Sequence, residues 1–179
     1  MESIHNSYTI CRRELKSYFE SPVAYVFMIV FLLLVGFLTF FVARFSDAGQ
    51  ADLRAFFNWH PWVFLILVPA ATMRLWAEER RSGTIELLLT APITMAQAIV
   101  GKFVAAWLFM GLAIVLTCPI YFTIMYLGSP DHGAVISGYV GSLLLAATYI
   151  SVGMLTSALT DNQVISFVIA LVLCFILLI

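Results

Sequence analysis

Long uncharged apolar runs make up most of the chain, and one polar stretch, residues 74–102, divides them. A helix needs about 20 consecutive apolar residues to span a membrane, whereas a strand of a membrane barrel alternates apolar and polar residues over about ten positions. The runs here are continuous, so they predict an all-α integral membrane protein. We predict five spans, at residues 23–43, 57–77, 103–127, 134–159 and 164–179.

The first 20 residues are polar but follow a helical period. One face is apolar or aromatic at spacings of three and four: Tyr8, Cys11, Leu15, Tyr18 and Phe19. The other face is charged: Arg12, Arg13, Glu14, Lys16 and Glu20. This pattern predicts an amphipathic helix over residues 1–20 that lies at the membrane interface. An ordinary surface helix is the alternative, but no soluble domain follows for it to pack on.

Capping residues mark the start of two spans. Ser21 precedes Pro22, and serine favours the N-cap while proline favours the first helical position, where its missing N–H costs nothing. Thr160 is followed three residues later by Gln163, which fits a capping box at the start of the fifth span. Both signals agree with the boundaries of the apolar runs.

Residues inside the spans predict kinks and close contacts. Pro69 in the second span and Pro119 in the third each lack the N–H of a helical hydrogen bond, so each predicts a kink. Small residues in the fourth span would let neighbouring helices approach closely. They are Gly138, Gly141, Ala146 and Gly153.

Lysine and arginine are distributed unevenly among the loops, and this bias sets the orientation of a membrane protein. Seven lie before the first span or in the stretch 74–102, against two in the loop 44–60 and none in the loop 128–133. We therefore expect the N-terminus and the central stretch in the cytoplasm and both loops outside. Part of the aromatic loop 44–60 is expected to lie as a short interfacial helix.

Composition supports a membrane protein and excludes other classes. The chain of 179 residues is 63% hydrophobic and 11% charged, whereas a soluble domain is about half apolar and a quarter charged. The net charge is −1, and no basic run is long enough to follow a nucleic-acid backbone. The apolar cores of the predicted spans contain no Asp, Glu, Lys, Arg or His, which argues against a self-sufficient ion-coupled carrier.

Catalytic and metal-binding patterns are absent from the sequence. It has neither the zinc motif HExxH nor the nucleophile motif GxSxG, and Gly101-Lys102 is not a phosphate-binding loop because Ala96 and Phe103 replace the required residues. We expect the histidines in tails or loops, in contact with headgroups or water, and the cysteines as apolar fillers. These residues are His5, His60, His132, Cys11, Cys118 and Cys174. We therefore expect no catalytic residue, no cofactor and no metal in this chain.

The central stretch has the composition of a short helix held below the membrane. Residues 74–81 favour a helix that prolongs the second span, with Arg74 reaching the headgroups, and Ser82-Gly83 breaks it. Thr84 can cap a new helix with Glu86 in its first turn, and Pro92 ends it. Its apolar face consists of Ile85, Leu88 and Leu89. A re-entrant helix or a plain loop is the alternative.

Residues of this stretch resemble the signature of ABC-2 type permeases, the membrane subunits of one class of ABC transporter. The matching residues are Glu79, Gly83, Thr84, Glu86, Leu88, Pro92, Gly101 and Lys102. The N-terminal helix and residues 61–93 are most similar to the subgroup of gliding-motility-associated permeases. The resemblance implies one transmembrane domain over residues 1–179, with six spans per subunit. It also implies a dimer of identical or related permeases with two ATPase subunits, which bind the ATP and magnesium.

The resemblance also implies a set of residues that contact the ATPase. The coupling helix would be Thr84–Leu89 with Glu86 as its polar contact, within a cytoplasmic coupling region at 78–101. The implied contact residues are Glu78, Glu79, Arg80, Arg81, Gly83, Thr84, Ile85, Glu86, Leu88, Leu89 and Pro92. On the N-terminal helix they are Arg12, Arg13 and Lys16.

These observations lead to two hypotheses about function. The first is a permease subunit of an ATP-driven ABC-2 transporter in the bacterial cytoplasmic membrane, in contact with lipid and not with nucleic acid. The second is a membrane protein for assembly or anchoring that docks another cytoplasmic partner without transport. Because the chain stops inside an uncharged run, we expect a C-terminally truncated fragment that lacks a sixth span.

Overall fold

The computed structural model of the chain describes residues 2–42, 53–85, 93–127 and 130–179. At residues 2–5, 41–42, 54–55 and 127 it describes the backbone alone. Throughout this described part the regular secondary structure is helical, as the continuous apolar runs predict.

The helices follow the apolar runs but with different bounds. They are α1 Glu2–Glu20, α2 Pro22–Phe37, α3 Arg54–Thr72, α4 Ala77–Arg81, α5 Met95–Val115, α6 Cys118–Leu127, α7 His132–Leu159 and α8 Gln163–Leu178. A π-helical turn, Leu38–Val42, continues α2. Within the described residues, four stretches are long and apolar enough to cross a membrane: Pro22–Phe40, Phe56–Arg81, Met95–Tyr126 and His132–Leu159. Helix α8 is apolar but shorter, at 16 residues.

One of the two predicted helix caps is confirmed, and the other is wrong by two residues. The hydroxyl of Ser21 accepts a hydrogen bond from the N–H of Val23 at 3.3 Å, with Pro22 in the first turn of α2. Helix α8, however, is capped by Asn162, whose side chain accepts from the N–H of Val164 at 2.9 Å. Thr160 instead donates to the carbonyl of Asn162. Asparagine is a strong N-cap in its own right and stands directly before the helix.

The second span begins earlier than predicted and is interrupted by a turn near its C-terminal end. Helix α3 starts at Arg54, so the aromatic part of the predicted loop 44–60 is helical. The helix ends at Thr72, and a turn over residues 73–76 precedes α4. The predicted helix over residues 74–81 is therefore confirmed only in part, because residues 77–81 are helical and residues 74–76 lie in the turn. The Ser157 hydroxyl stabilises the turn. It accepts hydrogen bonds from the backbone N–H of residue 76 at 3.0 Å and from that of residue 77 at 3.1 Å.

The third span also begins earlier than predicted, because a capping box starts α5 at Met95. The Thr94 hydroxyl accepts from the N–H of Gln97, and the Gln97 side chain accepts from the N–H of Thr94. Helix α5 therefore contains Lys102, which the sequence had placed in the polar stretch. The interruption expected at Pro119 lies just before it, between α5 and α6.

Helix α3 lies at the centre of the bundle, against α2, α7 and α8, and α7 also contacts α5 and α8. Three of the four predicted small residues sit at close contacts. A Cβ at Gly138 would meet the ring of Phe57 at 2.5 Å, a Cβ at Gly153 would overlap the Thr72 side chain, and Ala146 is fully buried. The prediction is wrong for Gly141, which faces open space.

Helix α1 packs along α5, so the chain supplies the packing surface that the sequence did not reveal. Cys11 and Tyr18 are buried there, as their face of the helix predicts. Tyr8 is 63% exposed, and Ile10 takes the buried position instead. The Tyr18 ring stacks on Phe109 with ring centres 4.8 Å apart. This packing brings the charged residues of α1 to the cytoplasmic-side ends predicted for the spans.

Candidate functional site around a buried lysine

The candidate site is centred on Lys102, which is 1% exposed although it carries a charge. Its ammonium group donates to the Glu79 carboxylate at 2.8 Å, to the Glu14 carboxylate at 3.3 Å and to the carbonyl of Leu75 at 2.9 Å. It also lies 5.0 Å from the centre of the Trp76 ring. Lysine has three N–H donors, so these three acceptors satisfy it completely.

Two carboxylates and a second cation balance the buried ammonium group. Arg13 bonds to Glu14 at 2.8 Å and approaches Glu79 at 3.6 Å. Together with Lys102, these residues form a cluster of two positive and two negative charges, which we call the lysine cluster. Removing a charge from water is costly unless a partner compensates it, and the cluster supplies that compensation. Within the described residues, the second Glu79 carboxylate oxygen is buried without a hydrogen-bond partner.

The lysine cluster joins three parts of the chain that are distant in sequence. Glu14 comes from α1, Glu79 from α4 and Lys102 from α5. The turn before α4 is held from a fourth helix, because Ser157 of α7 also donates to the carbonyl of Met73 at 2.8 Å. The turn before α4 therefore contacts both α5 and α7, and α4 also contacts α1.

An open cleft of about 840 Å³ lies beside the lysine cluster. Its charged lining comes from Arg13, Glu14, Glu20, Arg74, Glu78, Glu79 and Lys102. The Arg74 guanidinium lies 5.2 Å from the centre of the Tyr18 ring, so this half-buried side chain packs against α1 beside the cleft. Burial raises the pKa of the Tyr18 hydroxyl, which stays protonated and donates to the carbonyl of Ala71 at 3.2 Å.

Most predicted partner-binding residues that the structure describes are exposed. These are Glu78, Arg80, Arg81, Gly83 and Thr84, whereas Glu79 is partly covered and Ile85 is half-buried. Gly83 has a φ of 71°, a conformation that favours glycine, where the chain leaves α4. The remaining predicted residues, Glu86, Leu88, Leu89 and Pro92, lie outside the described residues. The short helix predicted at Thr84–Leu89 therefore stays a prediction.

The predicted basic residues of α1 divide between the lysine cluster and the surface. Arg13 belongs to the cluster, and Arg12 is exposed. Lys16 is also exposed and pairs with Glu20 at 3.4 Å. Arg80 of α4 forms another surface pair, with Asp161 at 3.6 Å. Such exposed pairs are worth about 0–1 kcal/mol, so they leave the surface free to bind.

The prediction that His60 lies in a loop is wrong. His60 is 1% exposed inside α3, and its Nδ1 lies 3.1 Å from the carbonyl of Phe56. The rings of Phe31, Phe56, Phe57 and Phe64 surround it, with centres 4.5–6.2 Å away. The spacing of four between Phe56, His60 and Phe64 was the signal that could have revealed a helix here.

Sequence reasoning also missed the role of Lys102 and Glu14. Lys102 was assigned to a polar loop, and Glu14 to the outward face of the N-terminal helix. The capping box at Thr94 and Gln97 could have placed Lys102 two turns inside a helix. Nothing local indicates Glu14, because its partner lies 88 residues away.

Comparison with known proteins decides the family. Residues 61–179 match the family described as ABC-2 family transporter protein. The chain belongs to this family. The ABC-2 match includes Glu79 and Lys102, and it begins within α3. The chain is thus a membrane protein of a transporter family, with several apolar helices.

One curated relative of this ABC-2 chain is heme exporter protein B of Rhodobacter capsulatus. It is 34% identical over 59 residues, which is 33% of this chain and 27% of the relative. The match therefore spans only about a quarter of the relative's length. No solved structure matches the chain.

Proposed function

We propose that this chain is the permease subunit of an ATP-driven ABC-2 transporter and that it works as a dimer with two copies of a separate ATPase. ATP and magnesium bind to that ATPase, and the permease takes no cofactor. One observation carries the proposal: the mostly exposed charged segment from Glu78 to Thr84 is anchored to the bundle through buried contacts at Glu79 and at the turn before α4. An element that transmits a push from a partner must be both accessible and firmly connected.

The proposal places the chain in the bacterial cytoplasmic membrane with its N-terminus in the cytoplasm. The lysine and arginine bias of the loops supports this orientation. Helix α8 is then the fifth of six expected spans. We also propose the subgroup of gliding-motility-associated permeases, because the N-terminal helix and residues 61–93 resemble its members.

Helix α4 and the segment that follows it are the proposed contact with the ATPase. Glu78, Arg81 and Thr84 are exposed there, and Glu78 carries a charge that a basic residue of the partner could pair with. The proposed coupling helix, Thr84–Leu89, follows directly, with Glu86 as its polar contact. Charge complementarity at such a surface gives specificity and fast association more than raw affinity.

Helix α1 is proposed as an interfacial helix with a second contact to the ATPase. Its apolar face is buried on α5, and its exposed residues include Arg12 and Lys16. Basic side chains beside a membrane attract anionic headgroups, worth about 1 kcal/mol each near the surface. The same side chains are accessible to a cytoplasmic partner.

The mechanism follows from these connections. ATP binding brings the two ATPase subunits together and displaces the coupling helices seated on them. Each displacement passes through α4 to the spans, and the two bundles rock against each other. The transported molecule passes along the interface between the two permeases.

Co-purification tests the proposal. The full-length protein is tagged, solubilised gently from native membranes and analysed by mass spectrometry for an ATPase. We expect one with the wild type, and none with Glu86→Lys, because the reversed charge repels the partner surface. Asp47→Lys is the matched control, since it reverses a carboxylate in the loop 44–60, on the side of the membrane opposite the proposed ATPase contact.

Either of two results would contradict the proposal in part or in whole. Retention of the ATPase by Glu86→Lys would exclude Glu86 as a contact. A well-folded wild type without any ATPase would favour the assembly or anchoring function instead.

Cysteine labelling tests the orientation. In a background without the native cysteines, a cysteine at Ser129 should react with an impermeant maleimide added outside. A cysteine at Ser82 should react only after the membrane has been opened. The reverse pattern would refute the proposed topology.

A further inference from the structure

We propose that Lys102 is a positioning residue that makes α1, α4 and the start of α5 move as one body. The inference rests on the proposed function, because it concerns how a displacement of α4 reaches the rest of the permease. It assigns α1 to the moving part of the transporter, although α1 precedes the first span.

The first argument is the geometry at the ammonium group. Its three bonds go to three different segments: α1 through Glu14, the turn through Leu75, and α4 through Glu79. All three distances lie between 2.8 and 3.3 Å. Since Lys102 has no donor to spare, α4 cannot slide along α5 without breaking a charged hydrogen bond.

The second argument is burial, which distinguishes this link from the surface pairs. The Lys102 side chain is 1% exposed, and those of Glu14 and Glu79 are 15% and 19% exposed. Arg80 and Asp161 also connect α4 to the bundle, but their side chains are 41% and 74% exposed. Water and salt screen an exposed pair and weaken a buried one far less. A force on α4 therefore reaches α5 and α1 through Lys102.

The third argument is what neutralising the lysine would do. Glu14 and Glu79 each bond the same ammonium group, so without it two carboxylates face each other in a partly buried site. Arg13 contacts both but is mostly exposed, and it compensates them only in part. Lys102→Met should thus push α1 away from α4 rather than merely loosen a contact. The double variant Glu14→Gln/Lys102→Met removes that repulsion without restoring the link.

Distances between spin labels test whether the segments move together. Labels are placed on cysteines at Ser17 of α1 and Ser82 after α4, both exposed, in full-length permease with its ATPase and without the native cysteines. A second pair, Ser82 with Ser137 of α7, reports movement of α4 relative to the spans. Both pairs are measured by pulsed electron resonance in lipid nanodiscs, with and without ATP.

We expect the wild type to show one narrow distance between positions 17 and 82 that stays the same with ATP. The distance between positions 82 and 137 should change with ATP. In Lys102→Met, the distribution between 17 and 82 should be broad without nucleotide and should shift with ATP. In Glu14→Gln/Lys102→Met, the distribution between 17 and 82 should be narrower than in Lys102→Met without nucleotide, but it should still shift with ATP. Loss of stability alone does not produce this response.

Arg44→Met is the matched control, because it neutralises a basic residue of the loop 44–60, outside both the lysine cluster and the proposed ATPase contact. It should behave as the wild type in both pairs. Trypsin cleavage after Arg12 and Arg13 is an independent readout. It should be at least about tenfold faster in Lys102→Met than in the wild type, because loss of a buried charge partner favours separation of α1 from the bundle. If Lys102→Met does not accumulate, Glu79→Gln replaces it, since glutamine keeps the shape and removes the charge.

Three results would overturn the inference. The first is a distance between 17 and 82 that changes with ATP in the wild type. The second is a distribution between 17 and 82 that is as narrow and as insensitive to ATP in Lys102→Met as in the wild type. The third is an Arg44→Met protein that matches Lys102→Met. If no ATPase co-purifies, the proposed function fails, but the inference about Lys102 can still be tested. The distributions between 17 and 82 in the wild type and in Lys102→Met, compared without nucleotide, then decide whether Lys102 joins the segments.

Discussion

Gly101→Ala should displace the N-terminal helix, because α1 crosses α5 at this glycine. A Cβ at Gly101 would lie 2.8 Å from the Cβ of Ile10 and 2.9 Å from the backbone oxygen of Ser7. Carbon atoms in contact are normally about 3.5–4.0 Å apart. Both close atoms belong to the backbone of α1 or are attached to it, so a side-chain rotation cannot relieve the overlap. The whole of α1 must move away by roughly 0.7–1 Å.

The energetic cost follows from this overlap. Inserting a methyl group into a well-packed contact typically costs about 1–3 kcal/mol. Alanine also favours a helix over glycine by about 0.5–1 kcal/mol, which offsets part of that cost. Gly111→Ala makes the same change on the same helix, but its Cβ would lie 3.6 Å from Leu143, an ordinary contact. The difference between the two variants therefore isolates the overlap, at about 1–3 kcal/mol.

Thermal unfolding in detergent measures the difference. For a chain of this size, about 1 kcal/mol corresponds to about 2–4 °C, so Gly101→Ala should melt about 2–12 °C below Gly111→Ala. Faster trypsin cleavage after Arg12 and Arg13 should accompany the loss, since α1 is the helix that moves. Equal melting temperatures for the two variants would refute the close packing of α1 on α5.

Other predictions concern the remaining buried contacts. Ser157→Ala should lower the melting temperature, because it leaves two buried backbone N–H groups unpaired at about 1–3 kcal/mol each. Ser151→Ala is the control, since it removes an exposed hydroxyl from the same helix. Equal melting temperatures for the two variants would contradict the role of Ser157 in stabilising the turn. Gly153→Ala should lower the melting temperature because its methyl group would overlap Thr72 of α3, whereas Gly141→Ala should leave the melting temperature unchanged. A melting temperature for Gly153→Ala at or above that of Gly141→Ala would exclude the close contact between α3 and α7. At pH 7.5, Cys11 should react with N-ethylmaleimide more slowly in the folded protein than in the unfolded chain, because burial and a neighbouring glutamate raise the pKa of its thiol. The reaction rate in the folded protein should keep rising as the pH passes the ordinary pKa of cysteine. An equal rate in both states would show that the thiol is accessible.

The sequence by itself determined the features that depend on local pattern. Continuous apolar runs are incompatible with water and require helices in lipid, because every backbone group must be bonded within its own segment. The cap at Ser21 and the interruption near Pro119 could be predicted because each acts on the backbone beside it. The transporter family was also evident, because its signature is a run of neighbouring residues.

Errors in the sequence interpretation occurred where polar residues stand inside helices. His60 and Lys102 look like loop residues because lipid excludes polar groups, yet the structure buries one among aromatic rings and the other among carboxylates. The turn before α4 was missed for a similar reason. It depends on the Ser157 hydroxyl, which lies about 80 residues further along the chain.

The tertiary structure alone decided the lysine cluster. Its charges come from α1, α4 and α5, and the partners of Lys102 lie 23 and 88 residues away. Helical periodicity states which residues share a face, but not which face meets which. That choice depends on the register between helices, which is set by packing at positions such as Gly101 and Ile10. A charge can be buried at Lys102 because those distant contacts bring two carboxylates within hydrogen-bond distance of it.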